Sequence, residues 1–390
     1  MLFSKRMDRL TEGIFTRLAD LKRSLKDEGV RVVDLSVGTP NIPPEQHCVQ
    51  ALLEAASDAK KYVYAIGDTQ ELLDAAAAWY ERRYGVTLDA SCEIASLLGS
   101  QDGLAHLSMT LIDEGDLALV PEPGYPIFIS GPQLAGAELY HMPLKKENGY
   151  LVDLDAIPED IARRAKLMII SYPNNPVTAI APASFYERVI RFAKEYDIVV
   201  LHDNAYSELV FDGVACGSFL AYEGAKDIGI EFNSLSKTYG LAGARIGFAL
   251  GNSQVIEKLK ILKSNIDYGM FLPIQQMAIA AITGDQSCVE RMRMAYQRRR
   301  DLLCESLCSI GWHMDKCPAT MFVWARLPVG YQDSEVFVFE LARRTGVLMV
   351  PGVVFGPNGE GYVRMALVQD EEEIAYAIER IEESGMLHEN

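Results

Sequence analysis

The chain has 390 residues, of which 49% are hydrophobic, and a formal net charge of -17 from 37 basic and 54 acidic side chains. This length exceeds the roughly 250 to 300 residues at which single hydrophobic cores stop growing, so two domains are expected. The excess of negative charge argues against a phosphate-backbone binder, and we expect no nucleic-acid partner.

We expect no targeting or membrane signal in the N-terminal segment. Residues 1–6 have no long apolar run behind them, so we expect neither a signal peptide nor a membrane span, and we place the protein in the cytoplasm. The apolar stretch 30–35 precedes prolines 40, 43 and 44. We expect residues 1–45 to pack with the C-terminal part of the chain in a small domain.

Short apolar runs alternate with helical patterns over the central part of the chain. A capping-box pattern at Asp68 and Glu71 predicts a helix that continues to Tyr84 and stops at Gly85. Residues 185–196 place apolar side chains at helical spacing. The candidate strands are 94–98, 117–121, 166–171, 198–202, 229–233 and 246–250. This alternation predicts an α/β domain, residues 46–285, with a mostly parallel sheet between helices.

The C-terminal part has a different order of predicted helices and strands. A long helical stretch, 287–310, ends at Gly311, and its Arg298-Arg299-Arg300 run is predicted to be a solvated helix face. A β pattern at 319–327, a helix near 335–345, more strand and a final charged helix from Asp370 follow. We expect residues 1–45 and 286–390 to form a smaller α+β domain.

The seven cysteines are scattered and odd in number, which favours reduced thiols over a disulfide framework. A cluster at Cys304, Cys308, His313 and Cys317 raises a metal hypothesis. Because it lacks the paired Cys-x-x-Cys spacing of structural zinc sites, we favour ordinary thiols and expect no metal.

Polar side chains follow several predicted strands. Gly99-Ser100-Gln101-Asp102 falls where a strand ends and a helix begins, so its backbone amides favour an anion, although Ser100 alone would also suit an ordinary N-cap. Asp203, with Tyr206 three residues later, follows the strand 198–202, where ligands of open α/β sheets gather. A buried carboxylate there needs a partner such as a protonated ring nitrogen; the alternative is an aspartate capping a turn.

Asn175 and Tyr125 are further candidates for contact with a ring-shaped ligand at this sheet edge. The Asn175 amide could donate to a phenolate oxygen together with Tyr206, or it could belong to a plain turn between prolines. The Tyr125 ring could lie against a flat heterocycle or pack on the sheet.

Lys237 is the most informative residue. It lies in Ser234-Leu235-Ser236-Lys237-Thr238-Tyr239-Gly240, with Arg245 eight residues on. A lysine amine condenses with an aldehyde to form an imine when its surroundings favour the neutral form and hold the carrier of the aldehyde. The two serines and Arg245 would bind a phosphate beside it.

Taken together, these residues resemble the class I/II aminotransferases, enzymes of fold type I that depend on pyridoxal 5'-phosphate. The resemblance extends over about residues 35–367. Its most specific parts are Ser-x-Ser-Lys with the following arginine, Asp-x-x-Tyr upstream and Asn175-Pro176 before that. The motifs look closest to LL-diaminopimelate aminotransferases and related alanine or aspartate enzymes.

The resemblance implies a role for each cofactor-binding residue. Lys237 would hold the cofactor and act as the catalytic base, Asp203 would pair with the ring nitrogen, and Tyr125 would stack on the ring. Tyr206 and Asn175 would hydrogen-bond the phenolic oxygen. The phosphate would lie among Ser100, Gln101, Ser234, Ser236 and Arg245.

The resemblance also implies a homodimer, because sites in this family form at a subunit interface. Tyr64 would reach the phosphate of the partner subunit, with Tyr62 as the alternative; ordinary sheet or interface packing is the other interpretation of both. Arg364 would bind the substrate α-carboxylate, Gly38 would pass close to the substrate, and Phe15 is a candidate to cover the site. An ordinary strand arginine in an ion pair is the alternative for Arg364.

The expected reaction is transamination between an α-amino acid and a 2-oxo acid. The same residues would also serve a carbon-sulfur lyase that eliminates from the β-carbon, since both reactions begin with removal of the α-proton. A cofactor-sensing regulator would need an N-terminal DNA-binding domain, for which the resemblance leaves no room. An NAD-binding protein is disfavoured because residues 240–247 do not form Gly-x-Gly-x-x-Gly.

Two departures from the family pattern leave the substrate open. The usual Asn-Pro-Thr-Gly is Asn175-Pro176-Val177-Thr178-Ala179 here. Tyr268 stands where the diaminopimelate enzymes carry an asparagine.

Overall fold

The computed structural model describes residues 2–10 and 14–387. Its strands are β1 Val33–Asp34, β2 Ile94–Leu97, β3 Leu117–Glu122, β4 Glu138–Pro143, β5 Ala165–Ser171, β6 Val199–Asp203, β7 Gly229–Ser234, β8 Gly247–Gly251, β9 Phe322–Arg326, β10 Val347–Leu348, β11 Val350–Pro351 and β12 Tyr362–Ala366. Its helices are α1 Ile14–Asp27, α2 Gln46–Ser57, α3 Gln70–Tyr84, α4 Ser100–Leu111, α5 Ile127–Ala135, α6 Glu159–Arg164, α7 Ala183–Tyr196, α8 Ala225–Ile228, α9 Leu235–Thr238, α10 Ser253–Ile266, α11 Leu272–Thr283, α12 Ser287–Ser309, α13 Ser334–Thr345 and α14 Glu371–Glu383. Short 3-10 turns connect several of them.

A seven-stranded sheet forms the centre of the molecule. Its strand order is β2-β8-β7-β6-β5-β3-β4. The pairs among β3, β4, β5, β6 and β7 are parallel, whereas β8 runs antiparallel to both β2 and β7. The prediction of a mostly parallel sheet between helices is therefore confirmed. The carboxyl ends of β3, β5, β6 and β7 meet along one edge of this sheet, and that edge positions the site.

Helices cover both faces of the central sheet. Strands β5 and β6 carry the apolar runs 167–170 and 199–201, as expected of strands buried on both sides. Ile169 and Leu201 contribute to the core on one face, together with Leu104 of α4 and Phe128 of α5. Met168, Ile170 and Val200 point to the opposite face, where α7 packs. Two apolar cores thus hold the sheet rigid and fix the positions of its strand ends.

Two smaller sheets lie outside the central one. Strands β11, β12 and β9 form an antiparallel sheet, and β1 pairs in parallel with β10. The N-terminal strand thus pairs with a C-terminal one, which is the contact expected if residues 1–45 return to the C-terminal part. The boundaries at 46–285 and at 1–45 with 286–390 stay predictions.

Two local predictions were wrong. Helix α3 begins one residue later than the capping box implied, because the Thr69 hydroxyl accepts from Leu72 N while Asp68 instead binds the backbone and hydroxyl of Ser96. Arg300 is not on a solvated face, since its side chain is fully buried and donates to both carboxylate oxygens of Asp212 at 2.8 and 2.9 Å.

Among the described residues, no helix is both long and apolar enough to cross a membrane.

Candidate active site

A cavity of about 750 Å³ opens at the carboxyl edge of the central sheet. It is lined by all but one of the site residues that the sequence predicted. They are Gly38, Ser100, Gln101, Tyr125, Asn175, Asp203, Tyr206, Ser234, Ser236, Lys237, Arg245 and Arg364. Ligands of open α/β sheets bind outside the carboxyl ends of the strands, and the topology accounts for this convergence.

Lys237 lies just beyond β7, on the short helix α9. The Ser234 hydroxyl caps this helix by accepting from Ser236 N at 3.2 Å, which fixes the backbone before the lysine. The Lys237 Nζ donates to the Gly38 carbonyl at 2.9 Å. Burial, helped by the charges of Arg364 and Arg245, lowers the pKa of the Lys237 amine to about 8. A substantial fraction is therefore neutral, and so nucleophilic, near physiological pH.

Asp203 ends β6 and is 7% exposed. Its Oδ1 is buried and finds no hydrogen-bond partner in the part of the chain that the structure describes. Burial raises the pKa of Asp203 to about 6, although neighbouring His202 acts in the opposite direction. A buried carboxylate oxygen without a partner, facing a cavity, is suited to a cationic N-H donor.

Arg364 lies on β12, on the other side of the cavity, and is 3% exposed. Its guanidinium donates to Asn175 Oδ1 at 2.9 Å and to the Ser36 carbonyl at 3.0 Å. Its Nε has no partner among the described side chains and backbone. Burial lowers the pKa of Arg364 to about 10, so the group stays cationic at neutral pH. A buried cation with no acidic partner in its hydrogen bonds suits an anionic ligand.

Aromatic rings support the arginine. The Arg364 guanidinium lies 4.1 Å from the centre of the Phe322 ring and 4.8 Å from that of Phe355. Tyr206 packs edge-on against Phe322 at 5.9 Å, and burial raises the pKa of the Tyr206 phenol far above its ordinary value. Tyr206 therefore keeps its proton and can act as a donor into the cavity.

An anion cradle forms where β2 leads into α4. Gly99 adopts a φ of +85°, and a Cβ there would lie 2.3 Å from Arg245 Nη2. The same guanidinium donates to the carbonyls of Leu98 and Ala242, both at 3.1 Å. The Ser100 hydroxyl, at the start of α4, is buried without a partner among the described residues. A helix N-terminus, an unpartnered hydroxyl and a guanidinium together suit a phosphate.

Tyr125 and Gln101 form one wall of the cavity. The Tyr125 hydroxyl donates to Gln101 Oε1 at 3.4 Å. Burial raises the pKa of Tyr125, so its ring presents a neutral phenol. The Tyr125 ring is thus available to lie against a flat ligand.

Tyr64 is the predicted residue that the structure does not bring to this cavity. Its side chain is 87% exposed and packs against Tyr268 with ring centres 6.2 Å apart. The alternative, Tyr62, donates its hydroxyl to the Ala56 carbonyl at 2.9 Å. Neither side chain lines the cavity of its own chain.

Sequence reasoning missed two contributors. Phe322 lies under Arg364 and against Gly38, where a Cβ would approach the Phe322 ring to 2.4 Å. The Ser36 carbonyl accepts from Arg364. No local signal marks either one, since Phe322 belongs to an ordinary apolar strand and Ser36 acts through its backbone. Phe15, suggested as a covering residue, does line the cavity.

The structure offers one group of metal-ligating side chains among its described residues. Asp102, His106 and Asp267 bring their ligand atoms within 4.8 Å of one another, and the cysteines and histidine at 304–317 form no such group. The Lys263 ammonium lies 3.1 Å from Asp102 and 2.9 Å from Asp267. The lysine ammonium already pairs with both carboxylates, so we assign no metal there.

Comparisons with known proteins find relatives over nearly the whole chain. Residues 30–381 match the family model described as aminotransferase class I and II. Proteins named LL-diaminopimelate aminotransferase from Moorella thermoacetica and Syntrophobacter fumaroxidans are 44% and 45% identical, with 97% of each chain covered. The substrate-bound structure of BacF from Bacillus subtilis superposes with a TM-score of 0.95 at 37% identity, covering 98% of both chains. The structure of a probable N-succinyldiaminopimelate aminotransferase from Thermus thermophilus superposes with a TM-score of 0.90 at 38% sequence identity, covering 95% of this chain and 100% of the other.

Proposed function

Because this chain belongs to the class I and II aminotransferases and is itself an aminotransferase, we propose that its cavity holds pyridoxal 5'-phosphate on Lys237 and exchanges amino groups between α-amino acids and 2-oxo acids. The family uses this cofactor. The rival carbon-sulfur lyase activity is not favoured, since the relatives are named aminotransferases.

One observation carries the assignment of residues. Three buried polar atoms without partners among the described residues, Asp203 Oδ1, Ser100 Oγ and Arg364 Nε, belong to residues that line the same cavity as Lys237. Their chemistry matches three groups that must be bound together: a protonated ring nitrogen, a phosphate and a substrate carboxylate. The residues present therefore fit the cofactor.

When bound, pyridoxal phosphate supplies a conjugated ring that accepts the electron pair left by removal of the substrate α-proton. Lys237 provides the amine that holds the cofactor, and it is the base that takes the α-proton and returns it. Asp203 would hold the ring N-H by its negative charge. Tyr206 and Asn175 would donate to the phenolic oxygen, and Tyr125 would pack on the ring.

The remaining residues bind and orient. Ser100, Gln101, Ser234, Ser236 and Arg245 would hold the phosphate, which would keep the cofactor in place independently of Lys237. Arg364 binds the α-carboxylate of both substrates, and Gly38 leaves room for them beside Phe322. Holding the reactants in place accelerates the reaction, because their translational and rotational entropy is already lost on binding and need not be lost in the transition state.

The proposed activity is tested by offering purified protein a panel of amino donors with 2-oxoglutarate or pyruvate. LL-diaminopimelate belongs in the panel because the relatives at 44% and 45% identity are named for it. We expect oxo-acid-dependent consumption of at least one donor, accompanied by a change in cofactor absorbance. Steady ammonia release without any added oxo acid would instead establish elimination.

We also propose that the protein is a homodimer with shared sites. Tyr62, Val63, Tyr64 and Ile66 are each more than 60% exposed, and Gly269 N bonds the Ala65 carbonyl at 2.7 Å. Tyr268 and Phe271 extend this apolar surface through ring contacts with Tyr64 and Tyr62. An exposed apolar patch of this kind is typical of a protein interface. A second copy of the chain covering it would let Tyr64 approach a neighbouring phosphate site.

An Ile66→Asp variant is expected to sediment as a monomer where the wild type is a dimer, because burying a carboxylate in an apolar interface costs several kcal/mol. Tyr64→Phe should leave assembly intact and weaken cofactor binding by about tenfold to a hundredfold, the effect of one lost hydrogen bond to a charged group. Val329→Asp is the matched control, since Val329 is 82% exposed and lies outside the patch. A monomeric wild type, or a dimeric Ile66→Asp variant, would contradict the proposal.

All seven cysteines are free thiols, in keeping with a reducing compartment. We propose the cytoplasm as the location.

A further inference from the structure

A buried carboxylate outside the proposed chemistry joins the two sides of the cavity. Glu122 is the last residue of β3 and is 5% exposed. Its Oε1 lies 2.9 Å from His141 Nδ1 on the neighbouring strand β4, and its Oε2 accepts from Asn358 Nδ2. Asn358 belongs to the segment 352–359, a pair of 3-10 turns between β11 and β12, which we call the 352–359 turn.

The backbone of the 352–359 turn is fitted closely to Glu122. Gly356 has a φ of +114°, and a Cβ at that position would lie 2.6 to 2.8 Å from the Glu122 side chain. Two residues after Glu122, Gly124 N donates to the Phe355 carbonyl at 2.8 Å. The end of β3 and the turn are therefore connected by a side-chain and a backbone hydrogen bond and by a close approach that only glycine permits.

Each connected segment carries part of the substrate site. The residues after Glu122 lead to Tyr125, which forms a wall of the cavity. On the other side, the buried ring of Phe355 lies 4.8 Å from the Arg364 guanidinium and packs against Trp324 at 5.9 Å. Arg364 itself is paired with Val350 of β11, directly before the turn. A shift of the turn would therefore move the support of the arginine relative to the Tyr125 wall.

We propose that Glu122 is a positioning residue that, by holding the 352–359 turn against the end of β3, sets the affinity of Arg364 for the α-carboxylate of both substrates. The inference rests on the carboxylate-binding role proposed for Arg364. Glu122 does not line the cavity and takes no part in proton transfer. Its effect is on the position of Arg364, and a displaced guanidinium binds a carboxylate more weakly because its two parallel hydrogen bonds no longer form together.

The test compares Glu122→Ala and Asn358→Ala with the wild-type holoenzyme. We expect KM for amino donor and oxo acid alike to rise about tenfold, the cost of one lost buried hydrogen bond to a charged group, while kcat and the cofactor dissociation constant change less than about threefold. The α-methyl derivative of the best donor, which has no α-proton to lose, should show the same loss of affinity by titration. Glu122→Gln should fall between wild type and Glu122→Ala, since it keeps one acceptor for Asn358.

Two controls separate positioning from general stability. Glu138→Ala removes an exposed glutamate of β4 that pairs with Arg164, and it should leave KM unchanged. Because Glu122 and Asn358 act through one contact, the double variant should be no worse than Glu122→Ala. An unchanged KM in Asn358→Ala or additive effects in the double variant would overturn the proposal. So would a loss of cofactor affinity as large as the rise in KM, accompanied by a lower melting temperature. Absence of transamination by the wild type would instead defeat the proposed function.

Discussion

A Lys237→Ala variant is expected to lose transamination by roughly four orders of magnitude, the upper range for removal of a catalytic acid-base group. The variant loses both the amine that holds the cofactor and the base that moves the α-proton. The phosphate cradle at Ser100 and Arg245 is untouched, so cofactor should still bind, but without the absorption band of a lysine-bound aldehyde. Borohydride followed by peptide mass analysis should label Lys237 in the wild type and no residue in the variant.

The matched control is Lys260→Ala, which removes a half-buried lysine outside the cavity whose ammonium contacts the Ser91 carbonyl at 3.3 Å. It should keep full turnover and the Lys237 label. Retention of turnover by Lys237→Ala, or labelling of another lysine in the wild type, would refute the role assigned to Lys237.

The pH dependence of labelling at Lys237 follows from its environment. The neutral amine is the nucleophile, so the rate at which pyridoxal labels cofactor-free protein should rise with pH through about 8, the pKa to which burial and the two arginines lower this amine. Removing one of these charges in Arg364→Met should move the rise to higher pH. A rise only near 10.5, the ordinary value, would mean that the site does not favour the neutral amine.

Asp203→Asn is expected to lower kcat by roughly a thousandfold, within the range known for loss of a charge that acts on the transition state. The carboxamide has nearly the shape of the carboxylate but no negative charge to keep the ring nitrogen protonated. Wild-type cofactor affinity should fall as pH drops below about 6, where Asp203 takes up a proton, and this dependence should be absent from Asp203→Asn. Stopped-flow absorbance and equilibrium titration measure the two effects.

Asp197→Asn provides the control for Asp203→Asn, because Asp197 is an exposed aspartate between α7 and β6. It should alter neither kcat nor the pH dependence of cofactor binding. Near-normal turnover of Asp203→Asn would show that the charge opposite the ring is dispensable.

The central strands were predictable from the chain, and an edge strand was not. Strands β5 and β6 contain the apolar runs 167–170 and 199–201, which a sheet covered on both faces can bury. Strand β4 was missed because Glu138, Tyr140 and His141 give it a mixed, largely exposed pattern that ends at Pro143. An edge strand pairs on one side only and needs no apolar run.

Local rules also failed where a distant partner decided the outcome. Asp68 and Thr69 are both good N-cap residues. Thr69 caps helix α3 because the Asp68 carboxylate instead accepts hydrogen bonds from Ser96 at the sheet edge. Arg300 looked solvated beside two other arginines, yet Asp212, 88 residues earlier, neutralises it in the interior. Charge runs and capping patterns describe a segment alone, whereas burial depends on what packs against it.

The sequence by itself determined the α/β class of the central sheet and placed Ser100, Asn175 and Asp203 together, because polar residues that directly follow buried parallel strands meet at one sheet edge. Gly38 and Arg364 were expected only from the resemblance to the family. The sequence also marked Lys237, since its neighbouring hydroxyls, glycines and arginine are adjacent in the chain. Only the tertiary structure decided how Arg364, from another sheet, comes to share a hydrogen bond with Asn175, and how Phe322 and Phe355 support it. These contacts join residues far apart in sequence, and their energy depends on distances that no local pattern encodes.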